Sequence, residues 1–271
     1  WQRRRNHWEA KSDWFRYTPG VVTAINLLIQ AETEEGDGVL IQEPVYYPFG
    51  NSIRTQKRQV ISSPLVLRDG RYEIDFADFE RKAADPMCRA FVLSNPHNPV
   101  GRVYTREELQ RMGDICLKHN VFVIADEIHS DLIFPGHHHT VFASLGEAYA
   151  KNCAVCHAPS KTFNLAGLSF SCIMIPDETH RQRFDAMFNR YCRANPTFFA
   201  PVAAKAAWEH GEEWLKECLA YIQGNEAFVR SFAEKTWGGK VWIAPLEGPY
   251  LLWMDLHALE PDAEKLDRRM I

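Results

Sequence analysis

Short apolar runs recur along this chain and are separated by longer amphipathic stretches. Four of these runs predict buried strands, at residues 39–41, 90–93, 121–125 and 153–156. Strands that are apolar on both faces are typical of parallel sheets whose faces are covered by helices. The pattern therefore predicts an α/β fold with a mostly parallel sheet flanked by helices.

The stretch between the second and third runs predicts a helix. Thr105, followed three residues later by Glu108, is a capping-box signature, and Leu109, Met112 and Cys116 then share one helical face. A strand, a helix and a strand in that order form a parallel pair with a right-handed crossover. Sheets of this kind bind ligands beyond the carboxyl ends of their strands.

Other segments complete the predicted organisation. A Pro19-Gly20 turn opens an apolar helix, and residues 53–63 predict a further, partly polar strand. More helices are predicted at residues 179–192, 201–210 and 214–235, then a strand pair at 240–244 and 250–254, and a helix start at 261–271. We expect a helical segment at residues 1–13, a large α/β domain at 14–236 and the start of a smaller α+β domain at 237–271. Because the last predicted helix is cut, we expect a truncated chain that lacks both ends of a longer protein.

The composition argues against several classes of protein. The 271 residues are 46% hydrophobic and the formal net charge is −4, which argues against nucleic acid as the main partner. No apolar run approaches the roughly 18 residues of a membrane span. Seven cysteines lie in apolar segments, which favours reduced core residues of a cytoplasmic protein over a disulfide framework.

Two motifs resemble metal ligands but are interpreted as structural. Cys153 and Cys156 have a Cys-x-x-Cys spacing, yet no second ligand pair accompanies them and the surrounding strand pattern favours core packing. The histidine run at residues 137–139 follows a Pro-Gly turn and is interpreted as an exposed loop. No metal site is therefore expected.

Three polar side chains follow successive predicted strands. Asn98 comes after the second run, Asp126 after the third and Lys161 after the fourth, at separations of 28 and 35 residues. If the strands are parallel, the three groups share one rim of the sheet. They suit pyridoxal 5'-phosphate: a lysine amine forms a Schiff base with its aldehyde, a buried carboxylate keeps its pyridine nitrogen protonated, and an amide donor holds its phenolate oxygen.

Further residues suit the rest of such a cofactor. Tyr46 offers a stacking face for the ring. Ser160 and the backbone amides around Val21 and Val22, at a helix N-terminus, suit the phosphate. Each residue also has an ordinary alternative: Asn98 stabilises its turn, Asp126 caps a loop, Tyr46 packs between prolines and Ser160 has no special role. Their joint occurrence at strand ends favours the cofactor.

These positions resemble a known family, the fold-type I pyridoxal-phosphate enzymes of aminotransferase class I/II. More narrowly, the chain is similar to the MalY/PatB group of cystathionine β-lyases, or C–S lyases. The matching segments are Pro19-Gly20-Val21-Val22-Thr23-Ala24, Pro44-Val45-Tyr46, Asn95-Pro96-His97-Asn98-Pro99-Val100-Gly101, Asp126-Glu127-Ile128-His129-Ser130-Asp131-Leu132, and Ala158-Pro159-Ser160-Lys161-Thr162-Phe163-Asn164 with Ala166-Gly167-Leu168.

The resemblance implies the aspartate aminotransferase fold and the residue roles given above, with Lys161 as the Schiff-base lysine. It also places His129 close to the cofactor, where many aminotransferases of this fold have tyrosine, which favours the lyase group. A homodimer with the site at the subunit boundary is a further implication. Family members extend beyond both ends of this chain, and their C-terminal domain supplies an arginine for the substrate carboxylate.

The function that the resemblance implies is β-elimination of L-cystathionine or another cysteine S-conjugate, yielding a thiol, pyruvate and ammonia. Lys161 would act as the general base at Cα. An aminotransferase would use the same residues and is the alternative hypothesis. A binding role in regulation and a scaffold without cofactor are hypotheses of different classes.

Overall fold

The computed structural model describes residues 1–192 and 195–270. The strands are β1 Phe15–Thr18, β2 Gly38–Ile41, β3 Gln59–Ser62, β4 Val66–Arg68, β5 Arg71–Glu73, β6 Cys88–Ser94, β7 Phe122–Asp126, β8 Cys153–His157, β9 Ser171–Met174, β10 Trp242–Ile243 and β11 Met254–Asp255. The α-helices are α1 Gln2–Asn6, α2 Val21–Glu32, α3 Pro48–Thr55, α4 Phe76–Ala83, α5 Arg106–Lys118, α6 Glu147–Lys151, α7 Pro159–Thr162, α8 Glu178–Tyr191, α9 Phe199–His210, α10 Glu212–Trp237 and α11 Ala263–Met270.

The main sheet has the strand order β1-β9-β8-β7-β6-β2-β3 within the described residues. Strands β8, β7, β6, β2 and β3 run parallel to one another. Strand β9 pairs antiparallel with β8, and β1 pairs antiparallel with β9. The predicted α/β fold with a mostly parallel sheet is confirmed.

The core lies on both faces of this sheet. Side chains alternate along a strand, so Val123 and Ala125 of β7 join one apolar cluster while Phe122 and Ile124 join the other. Helices α4 and α5 cover the first cluster, and helices α2, α3 and α8 cover the second.

The two cysteines of β8 show the same alternation. Cys153 packs into the first cluster and Cys156 into the second, and burial raises the pKa of both thiols well above their usual range. Because the thiols face opposite sides of the sheet, they are core residues rather than a ligand pair.

The strand predicted at residues 53–63 is wrong in its first part. Helix α3 runs to Thr55 and buries Phe49 and Ile53, which are four residues apart on one helical face. Pro48 occupies the start of this helix, where its missing N–H costs nothing. Only Gln59–Ser62 forms the strand β3.

The C-terminal part is confirmed in outline. Helix α10 ends at Gly238, which adopts the left-handed conformation with φ +55°. The strand pair is shorter than predicted, because Trp242 pairs with Asp255 and Ile243 with Met254. The division at residue 237 stays a prediction. The final helix starts as expected, but Ile271 and the side chain of Met270 lie outside the described residues.

A search of the described residues found no helix both long enough and apolar enough to span a membrane.

The capping box of α5, the helix between β6 and β7, can be tested by mutation. The amide of Glu108 donates to Thr105 Oγ1 at 3.2 Å, and the amide of Thr105 donates to Glu108 Oε2 at 2.8 Å. Thr105→Ala should lower the free energy of unfolding by about 1 kcal/mol, because the amide of Glu108 loses its acceptor. Urea denaturation measures this. Gln110→Ala, on the same helix, is the control and should change it by less than about 0.5 kcal/mol; equal effects would contradict the cap.

Candidate active site

The register of three parallel strands brings the predicted site residues to one edge. Ser94 of β6 pairs with Asp126 of β7, and Asp126 pairs with Cys156 of β8. The carboxyl ends of these strands are therefore level. Asn98 follows the first of them and Lys161 the third, so the expected common rim is present.

A cavity of about 580 Å³ opens at this rim. It is lined by all eight residues predicted from the sequence, which are Val21, Val22, Tyr46, Asn98, Asp126, His129, Ser160 and Lys161. The structure thus brings together segments from the start, the middle and the second half of the chain. The individual roles of these residues stay predictions.

Asp126 is the most perturbed acid of the cavity. Its side chain is 7% exposed, and its Oδ1 accepts a hydrogen bond from the amide of Ile128 at 3.1 Å. Burial raises the pKa of this carboxyl to about 7, the charge of Glu127 adds to the increase, and the Ile128 amide and Lys161 oppose it. A carboxylate in this position gains stability from a cationic partner in the cavity.

Lys161 lies on α7, a single helical turn that begins with Pro159 directly after β8. Pro159 and Thr162 are buried, whereas Lys161 is exposed to the cavity. The turn therefore buries Pro159 and Thr162, while Lys161 lines the same cavity as Asp126.

The N-terminus of α2 also lines the cavity. Its N-cap is Gly20, and no side chain among the described residues caps it. The first-turn amides, including those of Val21 and Val22, have no partner within the helix. Such amides and the positive end of the helix dipole suit a phosphate.

Tyr46 and Asn98 are tied together through their backbones. The amide of Tyr46 donates to the carbonyl of Asn98 at 2.9 Å, and the amide of Asn98 donates to Ser94 Oγ at 3.2 Å. Within the described residues these bonds run through the backbone of Asn98, which leaves its carboxamide available to a ligand. The Tyr46 ring is braced at 89° by Phe49, with 5.7 Å between centroids.

His129 is buried at the inner wall, with 5% of its surface exposed. Its Nδ1 has no hydrogen-bond partner among the described residues, and its ring meets that of Tyr250 edge-on at 5.7 Å. Burial and the charge of Lys161 lower its pKa to about 3. The imidazole is therefore neutral, with an unused polar atom beside the cavity.

The sequence reasoning missed several lining residues. Tyr250 and Leu251 reach the cavity from beyond α10, and Ser169 and Phe170 reach it from the loop before β9. Tyr250 was expected in a strand but lies outside β11. No spacing in the sequence connects these segments to the rim, because their position depends on long-range packing.

The histidine run differs from its expected form. His138 is exposed, but the His139 side chain is only 1% exposed and its Nε2 lies 2.9 Å from Glu127 Oε2. Glu127 Oε1 also accepts from the amide of Phe142 at 2.8 Å. The expectation of an exposed loop is therefore wrong for His139, because a buried carboxylate next to Asp126 binds its ring. No cluster that could hold a metal ion is found within residues 1–192 and 195–270.

The donor set of the cavity fits pyridoxal 5'-phosphate. It contains an amine, a desolvated carboxylate, an available carboxamide, an aromatic face and an uncapped helix N-terminus. The raised pKa of Asp126 and the orphaned Nδ1 of His129 mark polar groups that a bound ligand would satisfy.

Comparisons with known proteins agree with this fit. The sequence model of aminotransferase class I and II matches residues 5–271. The chain is 42% identical to cystathionine beta-lyase PatB of Bacillus subtilis, over 100% of this chain and 70% of that protein. Its structure matches cystalysin from Treponema denticola, which contains a pyridoxal 5'-phosphate cofactor, with TM-score 0.97 and 38% identity over 100% of this chain and 68% of that one. It also matches the PLP-bound C-S lyase from Staphylococcus hominis, with TM-score 0.88 and 30% identity over 100% of this chain and 66% of that one.

The environment of Asp126 predicts an unusual dependence of stability on pH in the cofactor-free protein. Because its folded-state pKa is raised to about 7, the free energy of unfolding should fall as pH rises from about 4 to about 7, by on the order of 4 kcal/mol. Asp126→Asn removes this loss. The variant should therefore be more stable than wild type at pH 8, and the difference should vanish near pH 4.

Urea denaturation of both proteins across this pH range measures the effect. Asp131→Asn is the matched control of opposite sign, because the pKa of the buried Asp131 is lowered and its charge stabilises the fold above about pH 4. That variant should be less stable than wild type at pH 8. Lower stability of Asp126→Asn at pH 8 would show that its carboxylate is already satisfied.

Proposed function

Because the chain belongs to the aminotransferase class I and II family, we propose that it catalyses a pyridoxal 5'-phosphate-dependent β-elimination. The substrate is L-cystathionine or another cysteine S-conjugate, and the products are a thiol, pyruvate and ammonia. The observation that carries the proposal is the single cavity that all eight predicted residues line. The named lyases among the similar proteins support the reaction type.

Each cofactor-binding residue is assigned to one part of pyridoxal 5'-phosphate. Lys161 attaches the aldehyde carbon, and the Asp126 carboxylate pairs with the ring nitrogen. The carboxamide of Asn98 binds the phenolate oxygen and Tyr46 stacks on the ring. Ser160 and the first-turn amides of α2 bind the phosphate.

The chemistry depends on a protonated pyridine ring and on an unprotonated amine at Lys161. When bound, the protonated pyridine ring supplies an electron sink for the carbanion at Cα. Asp126 keeps that ring protonated, because a cation in the cavity stabilises its ionised form and lowers its raised pKa. Once the substrate amine has displaced it from the aldehyde carbon, the freed Lys161 Nζ would remove the Cα proton as general base, and the β-thiolate would then leave. The neutral His129 lies beside the ring without adding a second positive charge.

The aminotransferase alternative uses the same cofactor site. Aminotransferases occur among the more distant relatives, such as kynurenine–oxoglutarate transaminase 1 of Rattus norvegicus at 27% identity. The identity to a cystathionine beta-lyase is higher, at 42%, so elimination is preferred.

A homodimer with a shared site and a cytoplasmic location are part of the proposal. Tyr47 lines the cavity and is nevertheless 76% exposed, which leaves room for a second subunit at the cavity mouth. The seven cysteines are unpaired, as is usual in a reducing compartment.

The reaction is tested by pyruvate release from L-cystathionine with pyridoxal 5'-phosphate and without any keto acid. Lys161→Ala should reduce the rate by at least about 10³-fold, because the general base and the covalent anchor are lost together. It should also abolish the yellow absorbance of the bound cofactor. Lys118→Ala, which removes an exposed lysine of α5 that pairs with Glu80, is the matched control and should retain both.

Two other outcomes would contradict parts of the proposal. Amino transfer to a keto acid without pyruvate release would replace the lyase with an aminotransferase. A wild-type protein that never develops the yellow absorbance would contradict the proposal that it binds this cofactor.

Stacking by Tyr46 is tested separately through cofactor affinity. Tyr46→Leu should weaken binding of pyridoxal 5'-phosphate about fivefold, which corresponds to about 1 kcal/mol for an aromatic contact. Tyr46→Phe keeps the ring and should bind within about twofold of wild type. Fluorescence titration of the cofactor-free proteins measures both constants; equal losses in the two variants would assign the effect to the hydroxyl group.

A further inference from the structure

Another buried carboxylate, Asp131, lies in the turn that follows β7 and does not line the cavity. It is 0% exposed, and both of its oxygens are engaged. Oδ1 accepts from the indole of Trp1 at 2.8 Å and lies 3.5 Å from Arg5 Nε. Oδ2 accepts from the hydroxyl of Thr162 at 3.0 Å and lies 3.5 Å from His157 Nε2. Four separate segments of the chain therefore meet at one carboxylate.

The charge of Asp131 is stable at neutral pH. Burial alone would raise its pKa, but the close approach of His157, the hydrogen bond from Trp1 and the charge of Arg5 lower it below the usual range. An ionised acceptor makes stronger hydrogen bonds than a neutral one.

Thr162 connects this carboxylate to the site. It directly follows Lys161 on α7, which is only one turn long. A single turn has little stability of its own, so the direction of the Lys161 side chain depends on the contacts that hold the turn. Thr162 is 1% exposed, and its hydroxyl donates to Asp131.

Helix α1 reaches the same turn from the other side. Besides donating to Asp131, Trp1 places its ring edge-on against Phe163, with 5.7 Å between centroids. Arg5 donates to the backbone carbonyl of Asp131 at 3.4 Å. None of the residues of α1 is itself buried, so its position depends on polar contacts such as these and the bond from Arg4 to the carbonyl of Trp208 at 2.7 Å.

We propose that Asp131 is a positioning residue for Lys161, which it orients through the hydroxyl of Thr162, and that Trp1, the residue before α1, supports it. The inference rests on the proposed role of Lys161 in attaching the cofactor. Attack of an amine on an aldehyde depends steeply on alignment, because a displacement of about 1 Å can cost about a hundredfold in rate. Loss of the Thr162–Asp131 bond should therefore slow attachment more than it weakens binding.

The test measures covalent attachment in the protein without substrate. Nζ of Lys161 condenses with the aldehyde carbon of pyridoxal 5'-phosphate as water leaves, and borohydride trapping with mass spectrometry gives the rate. Varying the cofactor concentration separates the maximal rate from the half-saturating concentration. Thr162→Val should lower the maximal rate about tenfold or more and leave half-saturation nearly unchanged. Thr162→Ser keeps the hydroxyl and should restore the wild-type rate.

Two further variants extend the test along the chain of contacts. Asp131→Asn should slow attachment as Thr162→Val does, and urea denaturation will show whether it folds. If Asp131→Asn does not fold, the comparison of Thr162→Val with Thr162→Ser tests the proposal. Trp1→Phe removes the indole N–H and keeps the ring, and it should slow attachment severalfold.

The outcomes distinguish the two proposals. A lower unfolding midpoint for Thr162→Val with an unchanged maximal rate would assign the bond a structural role only and overturn the inference. An unchanged attachment rate in Trp1→Phe would show that Trp1 does not take part in positioning Lys161. No trapping at Lys161 in the wild type would overturn the proposed function itself.

Discussion

The desolvation of Asp126 is the constraint on which the candidate site depends. The carboxylate ends a strand in the middle of a sheet that is covered on both faces, so only 7% of the residue is exposed. A charged group in such a place is costly unless it is paired, and within the described residues its carboxylate accepts a hydrogen bond from one backbone amide. The cavity at the strand end is the remaining route by which this carboxylate can be satisfied.

The contrast with Asp131 shows that the raised pKa of Asp126 is due to its own surroundings and is not a general feature of buried acids in the chain. The two carboxyls are five residues apart, one at the end of β7 and the other in the turn that follows, and both are buried, yet the pKa of Asp126 is raised and that of Asp131 is lowered. Each oxygen of Asp131 accepts a hydrogen bond and Arg5 lies beside one of them, whereas Asp126 faces the cavity. Pairs of acids whose environments separate their pKa values are typical of sites with assigned chemical roles.

Much of the site could be predicted because parallel strands convert sequence order into spatial order. Once residues 90–93, 121–125 and 153–156 were interpreted as buried parallel strands, Asn98, Asp126 and Lys161 had to share a rim. The contribution of Tyr250 could not be predicted in this way, since the segment after α10 returns to the cavity through tertiary contacts. The same limit applies to α3, where a helical face was mistaken for a strand because its polar residues obscured the spacing of Phe49 and Ile53.

The position of Lys161 could be predicted only in part. Its place after β8 follows from the strand pattern, but its direction does not, because α7 is too short to define it. That direction depends on a carboxylate thirty residues earlier and on an indole near the start of the chain. The segment that identifies the cofactor is therefore local in sequence, whereas the geometry that makes Lys161 useful is distributed. A sheet edge can specify which groups meet, and only the packing of neighbouring segments can specify how they face each other.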